Sequence, residues 1–489
     1  MAKNKLYYGD NLSVMRNRQW FPDGSVDLIY LDPPFKSDED YNLLFKEPSG
    51  KRSAAQIRAF EDTWHWDEAA QQSYEDVLAN APETVARFIT KMRELLGPND
   101  MMAYLCMMAP RLVEMHRILK SDGSIYLHCD PNASHYLKAL MDAVFGPNRF
   151  RREIVWRIGW VSGFKTRANN WVRNHEILLY YTKGAKFTFN KQYKPYDPDY
   201  ERRGTGKPTG PGIPFDDVWN VGDEPMNLTS IMIMSYSSEK MSYPTQKPLN
   251  LLRLLIRASS NPGDVVLDPF CGCGTTIVAA HMEGRRWAGI DVTHLAVGLN
   301  KYRLEASFGP DIHKEYDVFG EPADVPGAED LAKSDPYQFQ WWSVGLVRGR
   351  ALVQDRKRGP DKGVDGVVYF IDDESGVAKR IILQVKSGKV TVREMRELRG
   401  VVDAQGAEMG AMICLRKPTE PARKFAVSAG SYISPISGAR YPRLQSITAG
   451  ELLEGEMVKH PGYVVLPNTK RLERSLQEVL ELEIEEAGD

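Results

Sequence analysis

Residues 26–35 read VDLIYLDPPF. The apolar run Val26–Leu31 has the look of a buried strand, and it stops at an acid, two prolines and an aromatic ring. Pro33 and Pro34 cannot donate to a sheet ladder, so the strand must end there. The same rings fix the backbone, so Asp32 and Phe35 are held in place. A carboxylate held at a strand tip can accept hydrogen bonds and stabilise positive charge on a group placed against it. A plain strand end followed by a proline turn would read the same way, so the other motifs must decide.

The second stretch is GDVVLDPFCGCGTT at 263–276. A strand, Val265–Asp268, runs into Phe270, Cys271, Gly272, Cys273 and Gly274, and a helix follows. Glycines at such a turn let a ligand approach the backbone closely. The next strand, Arg286–Ile290, ends in Asp291, and an acid at that tip can bind ribose hydroxyls. The full six-residue dinucleotide fingerprint is missing, which steers away from a pyrophosphate ligand. Cys271 and Cys273 have no second ligand pair near them, so a zinc site is disfavoured.

A third constellation lies in DRKRGPDKGVDGVVYFIDDESGVAKRIILQVKSGKV at 355–390. Asp365 precedes the strand Val367–Phe370. Gln384 lies in the strand Arg380–Val385, which ends at Lys386. An acid before one strand and a lysine at the end of the next could hold Mg²⁺ and orient water near a phosphate. Two ordinary surface residues at a hairpin are the alternative.

These residues need elements to position them. Val26–Leu31, Ser124–His128, Val265–Asp268 and Trp287–Asp291 read as strands, while Ala103–Leu119 and Ser134–Phe145 carry helical spacing. The alternation argues an α/β fold with a largely parallel sheet. Residues 36–100 are polar and poorly periodic and read as an insertion. The stretch 149–210 holds fourteen Lys or Arg against five Asp or Glu. Trp156, Trp160, Phe164, Trp171, Tyr180, Tyr181, Tyr193 and Tyr196 interleave with that charge, a pattern suited to phosphates and stacked bases. Residues 309–335 turn acidic and rich in Pro and Gly and read as a linker. The tail 466–489 reads as an acidic helix.

The chain has 489 residues, 42% hydrophobic and 26% charged, with formal net charge −2. That length suggests more than one domain. A near-neutral balance confines any nucleic-acid surface to a local region. Five scattered cysteines suit a reducing cytoplasm and argue against a disulfide framework. No apolar run reaches the roughly 18 residues of a membrane span, and the expectation is a cytoplasmic protein with no membrane partner.

With these motifs in hand, the chain resembles the amino-directed DNA methyltransferases. DPPF at 32–35 is similar to their catalytic motif and DPFCGCGTT to their S-adenosylmethionine motif. YPTQKP at 243–248 is similar to the segment that closes over the cofactor methionine, and Asp10 in YYGDN stands at a cofactor contact. The order, catalytic motif first, is that of the β group. The resemblance implies a Rossmann-like fold with permuted motif order over 1–308, target recognition within 149–235, and double-stranded DNA as partner. It implies catalytic roles for Asp32, Pro33, Pro34 and Phe35. It implies cofactor roles for Asp10, Thr245, Lys247, Asp268, Phe270, Gly272, Gly274 and Asp291. The target amino nitrogen must pyramidalise to attack a sulfonium methyl, and acceptors at Asp32 and the Pro33 carbonyl favour that change. Phe35 can stack on an extruded base. An aspartate at position 32 favours adenine N6 over cytosine N4. RNA remains an alternative substrate, and a homodimer is a possible state.

GVDG, QVKSGKV, RELRGVV and GAEMGAMICL resemble the Mrr-type branch of PD-(D/E)xK nucleases over about 336–450, within a domain expected at 336–465. That resemblance implies a restriction-endonuclease-like α/β domain. Asp365, Gln384 and Lys386 are then its catalytic residues, and Asp365 and Gln384 its Mg²⁺ ligands. Asp361 is a candidate second acid. Where such folds can carry a helix-borne acid, the helix QFQWWSVGLV offers Gln338 and Gln340. The combined expectation is site-specific methylation with a fused endonuclease, in restriction–modification or phage defence. The alternative is a second domain that only binds DNA.

Overall fold

The apolar runs ahead of each motif fold as strands, and the acids fall at their tips. The computed structural model describes residues 3–34, 66–158, 169–194, 196, 210–219, 246–351, 364–373 and 378–461. Phe35, Thr245, Asp361 and the tail 466–489 lie outside the described residues. Among the described residues the chain divides into two units, the first ending at Val292 and the second beginning at Thr293.

The first unit runs β1 (Asn4–Tyr8), α1 (Asn11–Arg16), β2 (Val26–Leu31), α2 (Glu68–Asn80), α3 (Glu83–Leu96), α4 (Asp100–Ile118), β3 (Leu119–Cys129) and α5 (Pro131–Phe145). It continues β4 (Phe150–Arg157), β5 (His175–Thr182), β6 (Tyr193–Lys194), β7 (Ile213–Pro214), β8 (Val218–Trp219), α6 (Leu249–Ser259), β9 (Val265–Asp268), α7 (Thr275–Met282) and β10 (Arg286–Asp291). Its main sheet is ordered β1-β10-β9-β2-β3-β5-β4-β8. β1, β10, β9, β2 and β3 are mutually parallel. β5 pairs antiparallel with both β3 and β4.

Leu28, Ile29, Leu31, Ile125, Leu127, Val266, Leu267 and Ile290 are buried. Such continuous apolar strands mark a sheet covered on both faces. Leu28 lies beside Val266 and Ile29 beside Leu267, so β2 and β9 end together. From β2 the chain moves outward to β3, and from β9 it moves the other way to β10. The strand order therefore reverses between β2 and β9, where open α/β sheets bind ligands beyond the carboxyl ends. Gly289 in β10 admits the Ile277 side chain of α7, whose tip would sit 2.2 Å from a Cβ at that position.

Where described, the stretch read as an insertion holds α2 and α3. Asp67 caps α2 by accepting the Ala70 N–H at 2.8 Å. Only Val77 of α2, and Val85 and Ile89 of α3, are buried, so few apolar positions carried the periodicity. Residues 309–335, expected as a linker, hold a 3₁₀ turn at Pro310–Lys314, β11 (Tyr316–Phe319) and α9 (Val325–Ser334). Asp324 caps α9 by accepting the Gly327 N–H at 2.8 Å, and Ala328 and Ala332 are buried beneath it.

The rest of the second unit comprises α8 (His294–Phe308) ahead of β11, then α10 (Pro336–Leu346), β12 (Arg350–Ala351), β13 (Gly366–Phe370), β14 (Lys379–Lys386), α11 (Val392–Ala404), β15 (Met409–Cys414) and α12 (Glu420–Ser428). It ends with β16 (Ser431–Ile433), β17 (Arg440–Pro442), β18 (Leu444–Thr448) and α13 (Ala449–Leu453). Its five-stranded sheet is ordered β12-β13-β14-β15-β18. β13 and β14 form an antiparallel hairpin, and β14, β15 and β18 are parallel. One face packs Val367, Ile382 and Met412 against Met395, Leu398 and Val402 of α11. The other packs Val368, Ile381 and Leu383 against Val344 of α10. Among the described residues no helix is long and apolar enough to cross a membrane.

Candidate active sites

The parallel strands of the first unit deliver acids to one edge of the sheet. Asp291 and Asp268 end β10 and β9, Asp32 follows β2, and Asp130 follows β3. Asp10 lies two residues beyond β1. Each has partners that fix its direction. Asp10 accepts the Ser13 N–H and pairs with Arg111 at 2.5 Å. Arg111 also donates to Asn11, and Asn11 Nδ2 donates to the Pro269 carbonyl at 2.8 Å. α4 and α1 thus brace the start of the glycine loop.

Asp268 is almost fully enclosed and accepts the Thr276 hydroxyl at 2.5 Å and the Phe270 N–H at 3.0 Å. Burial outweighs those two bonds, and Asp32 and Asp291 add repulsion. The carboxyl is pushed up to about 7. Asp291 Oδ2 accepts the Gly272 N–H at 3.0 Å. Gly272 has φ +47° and Gly274 φ +81°, left-handed values that side chains resist. The loop therefore presents bare backbone between Asp268 and Asp291. Its acids and open backbone fit a cationic ligand with ribose hydroxyls. Cys271 and Cys273 are buried thiols outside any disulfide, and burial pushes Cys271 up well above the usual thiol range.

Asp32 stands at the reversal point, with Lys247 Nζ 2.8 Å from its Oδ2. The sequence motif gave Lys247 to the cofactor, whereas its ammonium lies on Asp32. Glu176 Oε2 of β5 is 3.6 Å from the same ammonium and 2.7 Å from His128 Nε2. His128 Nδ1 lies 2.8 Å from the Tyr30 hydroxyl, back on β2. Burial works to raise the Glu176 carboxyl, but Lys247, the His128 hydrogen bond and Arg173 hold it well below the usual range. Burial, with Asp32, Asp268 and Glu176 around it, pushes Tyr30 well above the ordinary phenol value. Sequence reading missed Glu176 and His128. Their signals were an acid opening the apolar strand HEILLYYT and a histidine closing SIYLHCD. Pro33 and Pro34 follow Asp32 as expected, with no partner assigned to them here.

In the second unit Asp365 lies opposite the end of β14, its N–H donating to the Leu383 carbonyl at 2.9 Å. Its Oδ2 accepts the Val385 N–H at 2.7 Å, and its Oδ1 accepts Gln340 Nε2 at 2.9 Å. Of the two helix glutamines, Gln340 reaches the acid. Gln338 instead accepts the His294 N–H at 2.8 Å. Gln384 is buried in β14 and Lys386 is exposed at its end. No group of three His, Cys, Asp or Glu among the described residues could hold a metal. Asp365 is thus met by two N–H donors, and Asp361, the candidate second acid, lies outside the described residues.

The family model for DNA methylases matches residues 26–299, and that for restriction endonucleases matches 331–443. The type II methyltransferase M.EcaI of Enterobacter cloacae is 26% identical over 347 residues, covering 59% of this chain and 66% of that protein. The chain thus spans less than two thirds of that relative's length. The DNA adenine methyltransferase YhdJ of Escherichia coli K12 is 26% identical over 310 residues, covering 62% of this chain and 83% of that one. Among solved structures, the M1.HpyAVI–SAM complex aligns with TM-score 0.35 at 18% identity, over 61% of this chain and 98% of that chain.

Proposed function

The chain belongs to the DNA methylase family and carries a restriction endonuclease domain behind it, and from that premise we propose a site-specific DNA methyltransferase acting on adenine N6. Its methyl donor is S-adenosylmethionine, and its setting is restriction–modification or phage defence. The observation that carries the reading is Asp32, held by Lys247 at 2.8 Å where the strand order reverses, beside a glycine loop between two acids. Adenine is supported by the aspartate at the head of DPPF and by the printed activity of YhdJ.

Bound at the 269–274 loop, S-adenosylmethionine supplies an electrophilic methyl group on a positively charged sulfur. Gly272 and Gly274 keep that approach open, Asp291 offers negative charge and a hydroxyl acceptor, and Asp268, pushed up to about 7, adds charge as pH rises. Asp32 and the Pro33 carbonyl accept the N–H groups of the target amine and favour its pyramidal form. With the donor bound, the S–C bond would break as the N–C bond forms, the neutral thioether would leave, and Asp32 would stabilise the positive charge passing to nitrogen until the amine loses its proton to solvent, with no covalent enzyme intermediate. Phe35 follows the two prolines and stacks on the extruded base. The basic aromatic stretch 149–210 supplies phosphate contacts.

For the second unit the reading is an endonuclease-like domain with Asp365, Gln384 and Lys386 as its candidate residues, and Gln340 donates to Asp365 at 2.9 Å. Mg²⁺-dependent cutting that Lys386→Ala abolishes would support it, and equal cutting by wild type and variant would remove it.

Long-read sequencing of DNA from cells expressing the protein, beside Asp32→Ala, tests the methyltransferase. The expected result is one motif carrying N6-methyladenine, absent in the variant. N4-methylcytosine at the motif would replace the target base, and label on RNA alone would replace the substrate.

A further inference from the structure

Behind Asp32 the structure closes a ring of polar side chains. Tyr30 meets His128 at 2.8 Å, His128 meets Glu176 at 2.7 Å, Glu176 meets Lys247 at 3.6 Å, and Lys247 meets Asp32 at 2.8 Å. Tyr30 and Asp32 are two residues apart at the end of β2, so the ring begins and ends on the catalytic strand. It crosses β2, β3 and β5, three neighbours in the sheet, and the segment just ahead of α6. His128 is fully buried, and the side chains of Asp32, Lys247 and Glu176 are 12–14% exposed. Placing four such groups out of water costs free energy, which structures retain only when the charges compensate one another.

Charge counting gives the arrangement a purpose. Lys247 carries one positive charge between two carboxylates. Paired with Asp32 alone, the ammonium would cancel the negative charge that must meet a nitrogen becoming positive. Glu176 balances Lys247 from behind, so the pair is neutral and Asp32 keeps its charge. The ammonium also anchors Oδ2, which fixes the carboxylate plane. Arg173, 4.0 Å from Glu176, is drawn mainly to Asp130 at 3.4 Å and leaves Lys247 as the nearer cation.

We propose that Lys247 and Glu176 are positioning residues for methyl transfer, Lys247 aiming Asp32 at the target amine and Glu176 neutralising Lys247. This rests on the methyltransferase reading and assigns Lys247 to the reacting amine rather than to cofactor binding. A misplacement near 1 Å at a reacting group costs roughly 100-fold in rate.

The test uses the full chain, tritiated S-adenosylmethionine and unmodified plasmid DNA, with Glu176→Gln, Lys247→Met, Lys247→Arg and the Glu176→Gln/Lys247→Met double variant. Expected for Glu176→Gln is a loss of about 100-fold in kcat, with the Kd for S-adenosylmethionine and the KM for DNA within about twofold. Lys247→Arg recovers part of the loss seen in Lys247→Met. The double variant falls no further than Lys247→Met, since Glu176 acts through Lys247. Thermal melts guard against misfolding. Lys247→Met strands a buried carboxylate and melts lowest, and the double variant regains part of that. Wild-type kcat in Glu176→Gln would overturn the proposal. So would a Lys247→Met defect confined to the Kd for S-adenosylmethionine, which returns that lysine to the cofactor. An active wild type with indifferent variants defeats this proposal alone. A wild type that binds S-adenosylmethionine and labels neither DNA nor RNA defeats the methyltransferase reading with it.

Discussion

Both units set an aspartate at the end of a strand, and they back it differently. Asp32 faces an ammonium at 2.8 Å that is itself balanced by Glu176, with Asp268 and Asp291 on the strands beside it. Asp365 faces the Gln340 amide at 2.9 Å and a backbone N–H at 2.7 Å, with Gln384 in the neighbouring strand. The first arrangement concentrates charge in a partly enclosed edge, where electrostatic stabilisation is strong. The second satisfies its acid with neutral donors. The DNA methylase model spans more than half of the chain and the restriction endonuclease model a shorter stretch, and among the described residues the close charged pairs gather around Asp32 rather than Asp365. Chemical competence follows from the groups behind the motif, and the motif alone does not deliver it.

The largest expected effect breaks the first unit. Asp32→Ala should lower methyl transfer by about 1,000-fold, since it removes the charge at the reacting nitrogen. S-adenosylmethionine binding, measured by calorimetry, should persist. Loss of binding in a folded variant would move Asp32 into the cofactor site and erase the contrast with Asp365. Next comes Gly272→Val. Its φ of +47° opposes a β-branched residue, and the side chain would fill the loop between Asp268 and Asp291. Cofactor affinity should fall roughly 100-fold, combining backbone strain with lost approach. Unchanged affinity would take the loop out of the binding site.

The third prediction sharpens the second unit. Gln340→Glu places a second carboxylate beside Asp365. Mg²⁺ should then raise the melting temperature of the variant and leave the wild type unmoved. Cleavage of plasmid DNA should rise about tenfold, which is on the order of 1.4 kcal/mol. A wild type that already gains stability from Mg²⁺ would show that Gln340 turns its carbonyl oxygen to the ion, and the two aspartates would then be closer in kind.

Much of this contrast was legible in the sequence, and the limits have physical causes. Asp32, Asp268 and Asp291 were readable because each ends an apolar run that must be a buried parallel strand. Gly272 and Gly274 were readable because a turn into a helix asks for positive φ there. The partners were not readable. Tyr30 and His128 lie 98 positions apart and meet only through the register of β2 with β3. Glu176 depends on β5 turning back antiparallel, which no local pattern fixes. Gln338 and Gln340 were indistinguishable along the helix until their directions separated one toward His294 and one toward Asp365. The segment 309–335 read as a linker because Pro, Gly and acids dominate it, while its order comes from a cap at Asp324 and two buried alanines.

The smallest expected effect is thermodynamic, and it separates an enclosed acid from a merely positioned one. Burial disfavours the charged form of Asp268 and pushes its carboxyl up to about 7 in the folded protein, above its ordinary value of 3.8. Folding therefore favours the protonated acid. Its contribution is fully present below about pH 4, where both states are protonated, and stability is lost as pH rises from about 4 to about 7. The cofactor-free protein should melt a few degrees lower at pH 7.5 than at pH 5.5 on this account. Asp268→Asn stays neutral, so the slope from this site should vanish in differential scanning fluorimetry across that range. S-adenosylmethionine brings positive charge to the same edge, so its stabilising effect should grow as pH rises and Asp268 ionises. A wild-type slope that survives in Asp268→Asn would place the titrating group elsewhere. The row of acids would then be held by its hydrogen bonds alone, as Asp365 is held in the second unit.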